Sequence, residues 1–315
     1  MPQPVAYAAL LAASGLTPVD PDSPNTERIE DLFWFVGFWA AVVLLAVAIP
    51  LVLFVVRYRS RGRPRSVEGP QIHGSTRLEI AWTLVPVAIL LIVSIFTFYK
   101  LPGISLEAEA GESALKVRVE GRQFYWQYRY PNGVIAIDKL VAPADQLVEL
   151  EITAPESDVN HSYWVPDLFP KFDAIPGQTT DTSFRGRPGT YRGQCAEFCG
   201  IQHAVMFAEI ELLPVDEFES WLLREQQAQD AGRSDLGEQI FDGACAKCHG
   251  DEGQGLIGPG LSASTVANAA LVAEIVRNGR GKMPAIGEEW DERQMKALTD
   301  HLKQRFSAEE AGSGG

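Results

Sequence analysis

Sulfur and imidazole are scarce in this chain of 315 residues, which has four cysteines, four methionines and five histidines. Four cysteines exclude a disulfide-stapled scaffold. They fall into two close pairs, Cys195/Cys199 and Cys245/Cys248, each inside a stretch that reads as a cofactor motif, so no structural disulfide is expected. Basic charge is also short: 27 Lys and Arg face 41 Asp and Glu, a formal net charge of -14. That excludes a nucleic-acid binder, which needs a basic footprint, and is compatible with an acidic face for a basic protein partner. Internal repeats are absent. Charge is missing altogether from residues 33–56 and 80–99.

Each charge-free run is long enough to cross a hydrocarbon core of ~30 Å as a helix. Pro86 kinks the second, which membrane neighbours tolerate. Trp34, Trp39, Trp82 and Tyr99 lie near the ends, where aromatic belts form. Two spans make a hairpin, too few for a transport pathway. Arg57, Arg59, Arg61, Arg63, Arg65 and Arg77 crowd the connecting loop. The positive-inside rule makes that loop cytoplasmic and puts both termini outside. An earlier apolar run, residues 5–16, is too short to span and lacks the basic start of a signal peptide. No cysteine follows it for a lipid anchor.

The scarce ligand atoms are concentrated. GQCAEFCGIQHAVM, residues 193–206, holds Cys195, Glu197, Cys199, His203 and Met206. Thiolate, imidazole and thioether form a soft set that selects copper over magnesium or calcium. His161 in DVNHSYWVP supplies a further imidazole. Several readings are open: a Cys195–Cys199 disulfide, a structural Cys2His2 zinc, a mononuclear blue copper that leaves one thiolate idle, or two coppers bridged by sulfur.

The second pair lies in CAKCHG, the C-x-x-C-H signature of c-type haem attachment. Cys245 and Cys248 take the vinyl groups and His249 meets the iron. Met283, in a Gly/Pro loop after a helix, is the expected sixth ligand. Met295 falls in a helical pattern and reads as core; His301, on the same terminal helix, reads as surface. A thioether opposite imidazole favours electron transfer over oxygen chemistry.

Between hairpin and haem motif, ALKVRVE, FYWQYRY, VIAIDKL, QLVELEIT and AVMFAEIEL alternate at sandwich spacing. The expected architecture is therefore a membrane hairpin, an all-β Greek-key sandwich of cupredoxin type and an all-α class I cytochrome c domain. Expected boundaries are 1–31 for an extracytoplasmic segment, 32–104 for the hairpin and 105–215 for the sandwich. A helix and linker fill 216–234, the cytochrome 235–307, and a disordered tail 308–315.

The loop at 193–206, HSYWVP and KFDAIPG resemble subunit II of the haem–copper cytochrome c oxidases, over about residues 32–221. The resemblance implies a binuclear CuA centre with His161 and His203 as terminal imidazoles and Cys195 and Cys199 as bridging thiolates. Met206 and the Glu197 carbonyl would be weak ligands, and the Glu197 carboxylate would face a magnesium or manganese ion bordering subunit I. Glu79, opening the second helix, would be a proton-uptake carboxylate at the mouth of a channel into subunit I. The aromatic run at 121–130 would carry electrons, and Phe124, followed by Tyr125 and Trp126, stands where relatives place a surface tryptophan. Gln178 stands where many have arginine. No residue of this chain would be catalytic. The implied function is to pass electrons from haem c to CuA and on to haem a in subunit I. Oxygen would be reduced to water there, with proton translocation. Implied partners are subunit I, subunit III and an upstream donor, a cytochrome bc-type complex or small cytochrome c, at a bacterial inner membrane. The alternative is a membrane-anchored copper and haem carrier serving another terminal reductase.

Overall fold

The computed structural model describes residues 21–59, 62, 71, 73–104 and 114–312. The apolar run at 5–16 and the loop arginines Arg61, Arg63 and Arg65 lie outside them. The described residues form two compact units, the helices of residues 27–104 and, in the other, residues 21–26 with 114–312.

In the first unit, α1 spans Pro24–Arg57 and α2 spans Thr76–Lys100. Both pass the length and composition test for a membrane span. Their apolar side chains, such as Leu44, Val47 and Leu90, are exposed along the length, the surface of a helix that meets lipid. Phe35 stacks on Phe96 at 4.0 Å, and Lys100 pairs with Asp31 at 2.6 Å. The helix α1 starts well ahead of the apolar run because Ser23 caps it, accepting the Thr26 N–H at 3.1 Å.

The cap and the first turn of α1, through Thr26, belong to the second unit. Thr26 donates to the Asp167 carbonyl at 2.9 Å and Asn25 to that of Ser183 at 3.0 Å. The sandwich itself has two five-stranded sheets, β3-β2-β1-β5-β8 and β4-β10-β9-β6-β7. Their strands are β1 Leu115–Arg122, β2 Tyr125–Arg129, β3 Ile135–Ile137, β4 Lys139–Pro143, β5 Val148–Thr153, β6 His161–Val165, β7 Phe169–Ala174, β8 Thr180–Phe184, β9 Gly189–Cys195 and β10 Phe207–Leu213. The parallel pairs β1/β5 and β4/β10 mark the crossovers of the Greek key. Alternation fills the core: Phe124, Trp126, Tyr128 and Tyr130 all point inward.

The other face of β2 and β3 is covered too. Tyr125, Ile135 and Ile137 join a second apolar cluster with Leu236, Phe241, Trp290, Leu298 and Phe306 of the C-terminal helices. That is why VIAI is apolar on both faces, the pattern of a strand buried on both sides.

The helix α3, Val215–Asp230, packs Phe218, Trp221 and Leu222 on the sandwich. It continues to Asp230, most of the way through the 216–234 stretch expected as helix and linker, because Gln229 has partners there. Its amide donates to the Ile135 carbonyl at 2.7 Å and accepts the Ile135 N–H at 3.1 Å. The connection to the next helix is consequently short. A helical stretch follows: α4 Leu236–Ile240, a π-turn Phe241–Cys245, and α5 Ala246–His249. Then come α6 Ala263–Val266, α7 Ala269–Asn278 and α8 Glu292–Gly312. The last helix runs past residue 307 into the expected tail, where Ala and Glu favour helix. A Cβ on Gly237 would lie 2.2 Å from the Ala297 carbonyl, so glycine lets α4 cross α8 in close contact. Met295 is core, as expected. His301 is half-buried against Phe241, its ring centroid 5.8 Å away, rather than on the open surface, because the α4–α8 crossing covers it.

Candidate metal and haem sites

The loop between β9 and β10 brings its donors together at one rim of the sandwich. Cys195 Sγ is 3.9 Å from Cys199 Sγ and 3.9 Å from His161 Nδ1. On the other side, Cys199 Sγ is 3.7 Å from His203 Nδ1 and 3.8 Å from Met206 Sδ. The Glu197 carbonyl is 3.1 Å from Cys195 Sγ, while its carboxylate is exposed. Both cysteines are buried and free. The sulfur separation is far beyond the ~2.05 Å of a disulfide. The three ligand atoms of His161, Cys195 and Cys199 lie within 4.8 Å of one another. Five sulfur and imidazole donors around one small space fit copper.

Charge follows that geometry. The Cys199 thiol, donating to Cys195 Sγ, is the chief cause that draws Cys195 well below the ordinary thiol range. The same contact, with burial, pushes Cys199 up. Burial opposes a proton on His161, but its bonds to Asp158 and Cys195 outweigh that and raise it. Asp158 is the support that sequence reading missed. Its Oδ1 is 3.2 Å from His161 Nε2, and its Oδ2 accepts the Gln123 N–H at 3.1 Å. This turns Nδ1 toward the sulfurs, as an outer carboxylate does for a ligand histidine. Gln123 in turn donates to the Cys199 carbonyl at 2.8 Å.

Aromatic packing surrounds the loop. Trp126 is fully buried, edge-on to His161 at 6.0 Å and to Tyr163 at 4.7 Å. Phe124 is only 8% exposed, not a surface residue. Its ring lies against Gly200, where a Cβ would come within 3.0 Å. Gln178 is exposed, and its carbonyl accepts the Thr153 hydroxyl at 2.6 Å.

In the helical region Cys245 is buried, and burial pushes its thiol up to about 12. His249 Nδ1 lies 2.7 Å from the Pro259 carbonyl. That bond puts the proton on Nδ1 and leaves Nε2 as the ligating nitrogen. Met283 is partly buried beside the same core, in a tight turn closed by paired bonds with Arg280 at 3.0 and 3.1 Å. Two thiols, an oriented imidazole and a thioether fit a covalently held haem. Glu79 is apart from all this, exposed in the first turn of α2.

A sandwich rim of soft donors beside a haem-attachment helix defines an electron-transfer protein carrying copper and haem. Comparison with known proteins gives the same answer. The family model described as "Cytochrome C oxidase subunit II, transmembrane domain" matches residues 13–99, and that for the periplasmic domain of the same subunit matches 133–213. A third, "Cytochrome C oxidase, cbb3-type, subunit III", matches 232–302. Cytochrome c oxidase subunit 2 of Alkalihalophilus pseudofirmus is 31% identical over 255 residues, covering 78% of this chain and 73% of that protein. A probable cytochrome c oxidase subunit 2 of Rickettsia bellii is 31% identical over 237 residues, covering 68% and 85%. The chain belongs to the cytochrome c oxidase subunit II family and carries a C-terminal cytochrome c domain. It is a membrane protein with an extracellular domain, part of an oxidoreductase with subunit I, and its role there is electron transfer.

Proposed function

We propose that this chain is the electron-receiving subunit of a respiratory cytochrome c oxidase. Electrons pass from covalently bound haem c to a binuclear CuA centre and on to haem a in subunit I, where oxygen is reduced to water with proton translocation. His161, Cys195, Cys199, His203, Met206 and the Glu197 carbonyl hold the copper pair. Cys245, Cys248, His249 and Met283 hold the haem. The observation that carries this reading is the donor set around two sulfurs 3.9 Å apart, with one imidazole on each sulfur. A mononuclear blue-copper site leaves one of those thiolates without a role. Bound to the sandwich, a copper pair supplies reversible one-electron storage. The chain's part is to fix the ligands on a stiff scaffold, so little rearranges when charge changes.

The further assignments follow the family. Glu79 takes up protons at the border with subunit I, and the exposed Glu197 carboxylate reaches a magnesium or manganese ion there. Subunit III completes the complex, and a cytochrome bc-type complex or small cytochrome c supplies electrons. The chain crosses a bacterial inner membrane twice, with both termini outside. The boundaries expected above divide it, with the α3 helix taking most of the supposed linker. Phe124 and Trp126 flank the copper ligands and line the electron path. Because Phe124 is covered, a free cytochrome has no access to it.

The test is a count of copper, zinc and haem c in the purified chain, with the EPR spectrum of the oxidised form. Two coppers per haem c, one spin shared over both copper nuclei, is the expected result. Zinc, or a mononuclear copper spectrum, overturns the CuA assignment.

A further inference from the structure

Lys247 lies between the two haem-attachment cysteines, and its ammonium is turned away from solvent into the sandwich. Its Nζ donates to the Phe124 carbonyl at 2.8 Å and to Asp138 Oδ2 at 2.7 Å. The side chain is only 15% exposed, unusual for a lysine. Asp138 is itself held, its Oδ1 accepting the Trp126 N–H at 2.8 Å. The Lys247 carbonyl belongs to the peptide bond that leads into Cys248. It accepts the Gln202 side-chain amide at 2.5 Å. Gln202 directly precedes His203. Phe124, which accepts from Lys247, directly follows Gln123, which bonds the Cys199 carbonyl. Lys247 is thus tied by one hydrogen bond to the neighbour of His203, and by another to Phe124, whose neighbour Gln123 bonds the Cys199 carbonyl.

We propose that Lys247 and Gln202 are positioning residues that form the electron-transfer joint between the haem-attachment helix and the copper loop. The inference rests on the copper and haem reading above. Electron tunnelling decays faster across an empty gap than along bonded atoms. A continuous run from Cys248 through the Lys247 carbonyl and Gln202 to His203 crosses one hydrogen bond and no gap. One electron crosses per event, oxidising ferrous haem and reducing the copper pair. No bond breaks, and the neutral Gln202 amide neither gains nor loses a proton. The Lys247–Asp138 pair keeps the register. Half-buried ion pairs contribute little net stability, but breaking one strands a charge, which makes them good register keys.

The two residues separate in a test on the full chain. Gln202→Leu removes the bridge and leaves the ion pair and the packing volume. Lys247→Met removes the key. Docking is read independently of turnover, by amide exchange at Ile135 and Ile137 in metal-free as well as loaded chain. Those two amides donate to Gln229 and Gln239 of the helical region. Transfer is read by rapid reduction of the haem and the rate at which it reoxidises into copper. Gln202→Leu should keep copper and haem content, midpoint potentials and wild-type exchange, yet transfer several-fold more slowly. Lys247→Met should raise exchange at both amides by about tenfold or more, the usual worth of a hydrogen bond from a charged group, and slow transfer as well. A fully loaded Gln202→Leu chain that transfers at the wild-type rate overturns the joint. So does a Lys247→Met chain with unchanged exchange and unchanged transfer. A wild-type chain with zinc or one copper overturns the underlying reading instead, which the metal count distinguishes before any rate is measured.

Discussion

Asp158 offers a sharp test of the proposed copper site, because it touches no sulfur and yet orients His161, a proposed ligand. Its side chain is 14% exposed and makes three bonds, to His161 Nε2 at 3.2 Å, to the Gln123 N–H at 3.1 Å and to the Val159 N–H at 2.7 Å. Asp158→Ala frees the His161 ring to rotate and removes the carboxylate that makes the imidazole more basic. Losing an outer-shell partner of this kind costs about 10–100-fold in metal affinity, or about 1.4–2.8 kcal/mol. Asp158→Asn keeps one acceptor oxygen for His161 but turns its NH2 toward the Gln123 N–H and loses the charge, so for copper affinity it belongs at the lower end. The assay is competition for copper against a chelator of known affinity, with the EPR signal reporting what remains bound. The alanine variant also leaves the Gln123 N–H without its acceptor, worth about 1–3 kcal/mol of stability. Thermal unfolding of the metal-free chain measures that separately. Copper held by the alanine variant as tightly as by the wild type would refute the argument that Asp158 fixes His161.

Three other outcomes are expected. Glu120 is buried, which raises its carboxyl, but Arg122, Arg129 and Arg118 outweigh burial and hold it below the ordinary 4.5. Its stabilisation is complete above that value and fades as pH falls through the lower folded value. Glu120→Gln should flatten the acid limb of a stability–pH profile below about pH 4.5 and leave neutral pH dependence unchanged. Gly237→Val forces α4 off α8 at the Ala297 carbonyl; a loss of about 3 kcal/mol or more, seen as early melting of the helical region by haem absorbance, is expected. Met283→Ala should retain covalent haem in denaturing gels while lowering the haem potential in a redox titration; an unchanged potential points to another axial ligand.

Much of this was legible because the chemistry is local. The five donors of the copper loop lie within a dozen residues, and C-x-x-C-H is contiguous. The charge-free runs announce the hairpin by length alone. What stayed hidden depends on partners distant in sequence. Asp158 is an ordinary loop acid until His161 folds beside it. Lys247 reads as filler between two cysteines. In FYWQYRY, Phe124 and Trp126 face the sandwich core, while Tyr125 turns the other way to accept the Trp290 N–H at 2.8 Å. Alternation tells that the two faces differ, not that a second domain covers one of them. The available signal was VIAI, apolar on both faces where a half-solvated strand would alternate. Strands β6, β7 and β8 show no such alternation: Pro170 sits inside β7, and Pro166 and Pro176 stand just past the ends of β6 and β7.

The pairing of Gln229 with Ile135 has a consequence for solubility. The strand β3 is the outermost of its sheet, and an uncovered outer strand with apolar side chains is a template for pairing with another copy of itself. Gln229 occupies both backbone groups of Ile135, and Gln239 occupies the Ile137 N–H, so two side-chain amides stand in for the missing strand. The helices α3 and α4 that follow the sandwich therefore form a lid on a sticky edge. A chain cut after Leu213 would keep every copper ligand and gain a surface prone to self-association.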